Sequence, residues 1–389
     1  MVKLKIVKAT NYYKEHQLKN EIELREKLKT LPHFCLNFFI GIEHRSSVLT
    51  RLGYREDLVV FFTYLIVEEY DFNQHKTILD LKIDDLKKIN AQHLERFLSY
   101  LSAYNQTGKM QTNSKTTKAR KLSAVRGLLS YYFNNGVLDS NVGTRVLMPK
   151  KEDKEIIRLE IDEVVRLLNS SEDGDVLTSK EKDYHNITKT RDTALLSLLL
   201  GTGIRISEMV GLNVTDIDFS NNAFVVTRKG GGRSTLYFND EIRSELLLWL
   251  KDREKILGKE LRKHKYTDAK KFIKKTVTDT QDIKNLERAK ELIEEPALFI
   301  SLQKKRITPR AVLNLVKKYT SRVAPLKNIT PHKLRTTFGT NLYKEIGDIY
   351  AVAEVLGHKD VNTTRKHYAA QSEEIKRAAL NSVKLRDKN

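Results

Sequence analysis

Seven side chains in this 389-residue chain suit work on a phosphodiester when taken as a set: Arg205, Glu208, Lys229, His332, Arg335, His358 and Tyr368. A tyrosine hydroxyl that attacks a phosphodiester forms a covalent phosphotyrosine. Fixed positive charge must meet the non-bridging oxygens as the transition state builds, and two arginines can supply it. The departing oxygen needs a proton, which suits a lysine on a movable loop. Histidines titrate near neutral pH and can hydrogen-bond a phosphate or accept the tyrosine proton. No metal or other cofactor is called for. The sequence has no clustered Asp/Glu set and no Cys/His ligand spacing.

Taken singly, each residue has an ordinary reading. Arg205 and Glu208 lie three apart, as an intrahelical ion pair would. Lys229 before "GGG" reads as a turn lysine in solvent, and His358 after Gly357 as part of a helix C-cap. His332 and Arg335 share a face of a helix that opens at Thr330-Pro331. Free N–H groups and the dipole already favour an anion at such a helix start.

The surrounding elements must bring these residues to one place. "DTALLSLLLGTGIRISEMVGL" predicts a buried helix interrupted at Gly201-Thr202-Gly203, which lets Arg205 leave the core for a cleft. "NAFVVTRKGGGRSTLYF" predicts a β-hairpin with Lys229 at its tip. "ITPRAVLNLVKKYTSRV" and "ITPHKLRTTFGTNLYKEIG" each open with Thr as N-cap and Pro at the first helical position. In the second of these, Leu334, Phe338 and Leu342 form an apolar stripe. Tyr350 lies among apolar residues and is expected in the core.

Upstream, residues 1–30 are charged and helix-prone, an arm or leading helix. Residues 31–150 show helical apolar spacing throughout and predict an all-helical domain, with Asn135-Gly136 closing its last helix. Between Lys109 and Arg126 there are six basic residues and no acidic one. Lys115, Lys118, Arg120, Lys121 and Arg126, interleaved with Ser and Thr, suit phosphate contacts. A solvated basic face is the plainer alternative. "MPKKEDKEIIRLE" reads as a linker into a second domain, residues 151–389. Residues 251–295 are highly charged and read as a surface insertion, and residues 371–389 as a tail helix with one apolar stripe.

The whole chain carries 70 Lys and Arg against 50 Asp and Glu, a formal charge of +20. Such a surplus implies a polyanionic partner, nucleic acid above all. The single cysteine, Cys35, excludes an internal disulfide and sits in the apolar stretch "HFCLNFFIGI", as a buried thiol would. The first residues contain no signal-peptide core, and no apolar run is long enough to span a bilayer. A cytoplasmic protein on the bacterial nucleoid is expected, with no membrane partner.

"GTGIRISEMVGL", "TRKGGGR", "TPHKLRTTFGTNL" and "LGHKDVNTTRKHY", in that order, resemble the signature boxes of the tyrosine recombinase (phage integrase) family. The hairpin, the "TPHKLR" box and "LPHFCLNFF" are most similar to the Xer type, in particular its single-recombinase, XerS-like form. The resemblance implies a multidomain protein. An all-α, SAM-like core-binding domain would precede a mixed α+β catalytic domain, the two forming a C-shaped clamp on duplex DNA. It implies that Arg205 and Arg335 hold the scissile phosphate and that Lys229 is the general acid. His332 and His358 would assist, Tyr368 would be the nucleophile, and Glu208 would support Arg205.

The partners it implies are double-stranded DNA at specific recombination sites and three further copies of the chain, with the C-terminal helix exchanged between protomers. An accessory translocase or directionality factor is a further candidate. Two departures stand out. Thr336 replaces a histidine frequent in the family, and Tyr368 lies ten residues after His358 where many Xer proteins have nine. Chromosome-dimer resolution is the leading expectation. Integration or excision of a mobile element is the alternative within the class, and a catalytically inactive DNA-binding regulator the alternative outside it. A type IB topoisomerase shares the chemistry, but the core-binding domain and tail helix argue against it.

Overall fold

The computed structural model describes residues 12–106, 108–150, 156–228, 231–257, 295–357 and 361. Lys229, His358, Tyr368, the tail helix 371–389 and residues 258–294 lie outside the described set. The chain divides into two compact units, residues 10–154 and the remainder.

The first unit is built on α3 (Val48–Glu68) and α6 (Lys115–Asn134). Ser47 and Ser114 cap them, each accepting a hydrogen bond from the backbone N–H three residues on. Leu58, Phe61, Phe62 and Leu65 of α3 meet Leu122, Val125, Leu128 and Leu129 of α6 in a common core. The leading helix α1 (Tyr12–Leu28) packs on α3, and α2 (Cys35–Gly41) lies against α6. α4 (Asp85–Lys88) is a single turn, and α5 (Ala91–Tyr100) sends Phe97 edge-on to Phe61, 5.0 Å between ring centres. Cys35 is fully buried, and burial pushes its thiol well above the usual range, so it is a core group.

The unit is not wholly helical. Residues Tyr104–Gln106 (β1) and Lys109–Gln111 (β2) form a short antiparallel hairpin with Gln106 opposite Lys109. Gly108, φ +77°, supplies the left-handed turn residue. Three-residue strands with a single apolar side chain each carry no apolar alternation, so periodicity could not reveal them.

In the second unit α8 (Ser179–Thr202) is the central helix, and Ala194 to Leu199 are buried along it. Around it pack α7 (Ile161–Asp173), α10 (Asp240–Leu257) and α12 (Pro331–Ile346). α11 (Pro309–Val323) lies against α7, and its Thr308 caps it as expected. Asp192 of α8, 1 % exposed, accepts from Lys318 Nζ and the Tyr319 hydroxyl of α11, tying those helices together. β3 (Ile217–Asp218), β4 (Ala223–Thr227) and β5 (Arg233–Tyr237) form one antiparallel sheet in that order.

Of the charged stretch 251–295 read as a surface insertion, residues 251–257 prove to belong to the fold, while 258–294 lie outside the described residues. Residues 251–257 are the last turns of α10, and Arg253 is 3 % exposed. Its guanidinium donates to the carbonyls of Glu295 and Ala297, and burial pushes its pKa down to about 10. Trp249, one turn earlier, donates its indole N–H to Leu298 O. None of the described helices is long and apolar enough to cross a membrane.

Candidate active site

The site grows from two helix ends. α8 stops at Gly203, whose φ of +59° reverses the chain. A Cβ there would stand 2.4 Å from Phe338 Cδ1 and 3.0 Å from Leu356 Cδ2, so close packing also demands glycine. Two residues later Arg205 takes an extended conformation and opens α9 (Ile206–Gly211). The interruption expected at Gly201–Gly203 therefore exists, and it places Arg205 at a helix N-cap.

Glu208 is 2 % exposed and splits its carboxylate between two tasks. Oε2 accepts the Arg205 backbone N–H at 3.1 Å, while Oε1 accepts from Arg205 Nη1 at 2.8 Å. One oxygen caps α9 and the other aims the guanidinium.

The second helix end is that of α13 (Ile349–Leu356), closed by Gly357 at φ +60°. A helix C-terminus presents unpaired carbonyls and the negative end of its dipole, both of which attract cations. Three arginines take up this end. Arg335 of α12 donates through Nη2 to Leu356 O and through Nη1 to Gly203 O, bridging both helix ends. Arg205 Nη2 donates to Gly357 O at 3.1 Å. Arg228, just past β4, donates through Nη2 to Val355 O at 3.3 Å. The arginines of two distant boxes thus meet on consecutive carbonyls, next to position 358. Arg335 is 4 % exposed, whereas the Arg205 side chain keeps 32 % of its surface in solvent.

α12 opens at Pro331 with Thr330 as N-cap, although the Thr330 side chain makes no capping bond. His332 is exposed in its first turn. Leu334 is buried, and Phe338 and Leu342 pack against Val352 and Leu356 of α13. Thr336, the departure from the family pattern, is 7 % exposed and donates to the carbonyl of His332. It is a helix-internal contact. Tyr350 corrects its reading as core, since it is 70 % exposed. α13 is apolar around most of its circumference, and only Val352, Ala353 and Leu356 face inward.

Arg228 was not anticipated from the sequence. Its one signal is a second basic residue beside Lys229 at the start of a glycine turn. It donates to Glu208 Oε2 at 3.2 Å, so a single carboxylate serves two guanidiniums.

On α6 the basic candidates separate. Lys115 is exposed, and Lys118 reaches Ser102 Oγ at 2.6 Å. Arg120 and Lys121 both bind Asp57 of α3, which is fully buried. Lys121 is 7 % exposed, which corrects its reading as a surface phosphate contact. Arg120 keeps 51 % of its side chain exposed, and Arg126 is half-buried.

A helix-rich unit with a basic helix, followed by a unit that gathers arginines beside Gly357, is the build of a DNA-cutting recombinase. The sequence profile of the Phage integrase family matches residues 157–374, and the chain belongs to that family, the tyrosine recombinases. It is similar to tyrosine recombinase XerC of Thermodesulfovibrio yellowstonii, 31 % identical over 335 residues, covering 85 % of this chain and 90 % of the relative. XerC of Caldanaerobacter subterraneus is 26 % identical over 371 residues, covering 92 % and 89 %. Among solved structures, the XerH site-specific recombinase bound to difH substrate shares the fold, with a TM-score of 0.56 at 21 % identity, covering 88 % of this chain and 81 % of that one. The Tn1549 transposon integrase in complex with transposon right end DNA does so with a TM-score of 0.59 at 17 % identity, covering 90 % and 99 %.

Proposed function

We propose that this Xer-type recombinase resolves chromosome dimers by cutting and rejoining DNA at specific sites through a 3′-phosphotyrosine. The observation that carries the reading is the convergence of Arg205 and Arg335 on the carbonyls of Leu356 and Gly357. Two guanidiniums brought that close suit the non-bridging oxygens of one phosphate.

In this reading the Tyr368 hydroxyl attacks phosphorus, its proton passing to His332 or His358. The Tyr–O–P bond forms as the P–O5′ bond breaks, and Lys229 protonates the departing 5′ oxygen. One phosphodiester is exchanged for another, so religation by a 5′ hydroxyl needs no energy source and no cofactor. Residues 31–150 would grip DNA as a core-binding domain, with Lys115, Lys118, Arg120 and Arg126 on phosphates. Residues 151–389 would form the catalytic domain. Four copies would act on two sites, exchanging the tail helix 371–389.

A nicked suicide substrate, in which the strand beyond the cut diffuses away, traps the covalent complex. Wild type should give a covalent protein–DNA band on a chromosome-terminus site, and Tyr368→Phe should bind equally well and give none. A band only on mobile-element ends would replace dimer resolution with integration. Tight binding with no band on any site would replace the enzyme with a regulator.

A further inference from the structure

The Arg228 side chain occupies a junction that the proposed reaction leaves unexplained. It is 13 % exposed and touches three elements. Nη1 faces Glu208 Oε2 at 3.2 Å, and Nη2 faces Val355 O at 3.3 Å and, more loosely, Ser234 Oγ of β5 at 3.5 Å. Its guanidinium also lies against Gly357, where a Cβ would stand 2.8 Å from Arg228 Cζ and 3.0 Å from Nε. Gly357 is thus required twice, for its left-handed backbone and for the space that Arg228 fills.

The Arg228 backbone closes the hairpin turn. Its N–H donates to Gly232 O at 2.7 Å, and its carbonyl accepts from Gly231 N–H at 3.0 Å. Residue 229 therefore leaves directly from the residue whose side chain is bolted to α9 and α13. A lysine could not make the same junction, because a single ammonium cannot span a carboxylate and a helix-end carbonyl as a planar fork does.

We propose that Arg228 is a positioning residue for the general acid. It anchors the base of the hairpin turn to Glu208 and to the end of α13, and so holds Lys229 in register with the phosphate that Arg205 and Arg335 bind. Arg228 itself touches neither DNA nor the reacting atoms. The proposal rests on the reading of Lys229 as the proton donor. It adds a physical reason for two neighbouring basic residues at the turn: one anchors and one donates.

The test compares two nicked suicide substrates, one with the ordinary 5′ oxygen at the scissile bond and one with a bridging 5′ sulfur. Sulfur leaves without a proton, so it bypasses the general acid. Arg228→Ala should slow covalent-complex formation on the oxygen substrate by at least about tenfold. On the sulfur substrate it should stay within about threefold of wild type, the loss there being far smaller than a general acid supplies. DNA affinity should be unchanged at a temperature below the variant's thermal midpoint, which loss of the ion pair to Glu208 lowers. Arg228→Lys, which keeps charge and bulk, should show the same selective defect and guards against misfolding of the alanine variant. Equal losses on both substrates would overturn the proposal and place Arg228 with the phosphate-binding arginines. No loss on either would make it a packing residue. Lys229→Ala runs alongside. If sulfur fails to rescue it, the general-acid reading itself falls, and the proposal for Arg228 falls with it.

Discussion

Among the buried carboxylates that face two basic residues, Asp57 in the first unit and Glu208 in the second put the same physics to different uses. Asp57 on α3 is fully buried and binds Arg120 and Lys121, neighbours on one helix. Glu208 on α9 is nearly as buried and binds Arg205 and Arg228, which come from separate elements and continue to the end of α13. Burial raises the Asp57 carboxyl above its ordinary value even though two cations face it. Its pair therefore yields little net stability and serves instead to fix α6 against α3. Glu208 organises a surface in which guanidiniums outnumber carboxylates, and the surplus positive charge is what a phosphate would meet. A buried acid can lock a helix in place or aim cations at a ligand. What decides is whether its partners stop there or reach further.

The largest expected effect separates the two on stability. Asp57→Ala leaves Lys121 buried without its partner and should cost the first unit about 3–5 kcal/mol. Denaturant unfolding of the full chain should show the transition of the first unit moving to lower denaturant, with that of the second unit in place. If both transitions shifted together, the carboxylates would not act within separate units.

Glu208→Ala should act on chemistry. Covalent-complex formation should fall by at least about 100-fold, the scale of losing one preorganised charge contact, while DNA affinity holds. An equal loss of affinity would place Glu208 with Asp57 as a purely structural acid.

Lys115→Ala removes an exposed cation of α6. It should weaken binding by severalfold on every sequence and lower the slope of log affinity against log salt by about one. An unchanged slope would take Lys115 off the phosphate backbone.

The smallest effect is one of pH. Burial foremost, with the nearby Arg96, depresses the His93 imidazole below its ordinary value, outweighing Glu69 and Asp71, which act the other way. The unfolded chain then binds the proton more readily than the folded one. Stability of the first unit should fall as pH drops through about 6.5 and be regained above it. His93→Gln should flatten that dependence in melts taken between pH 5 and 8.

Much of the framework was legible before any coordinates. The helical spacing of α3 and α6, the β4–β5 hairpin, the two Thr-Pro helix starts and the break after α8 follow from local rules of periodicity, capping and glycine. The pairing of Arg205 with Glu208 followed from their spacing. The hairpin β1–β2 was hidden because its strands are three residues long with one apolar side chain each. Tyr350 was misplaced because a helix apolar on most sides does not say which side is inside. Lys121 was misplaced because its partner, Asp57, lies 64 residues away in sequence.

The sequence alone therefore determined which side chains are available for phosphodiester chemistry, and the local elements that carry them. Composition and order are enough for that, since capping, turns and periodicity act over a few residues. Tertiary structure alone decided that Arg205, Arg228 and Arg335 share the end of α13, and that one glutamate holds two of them. Unpaired helix-end carbonyls and a single carboxylate can be claimed by donors from anywhere in the chain. Which donors reach them depends on the packing of α8, α12 and α13, and not on their spacing in sequence.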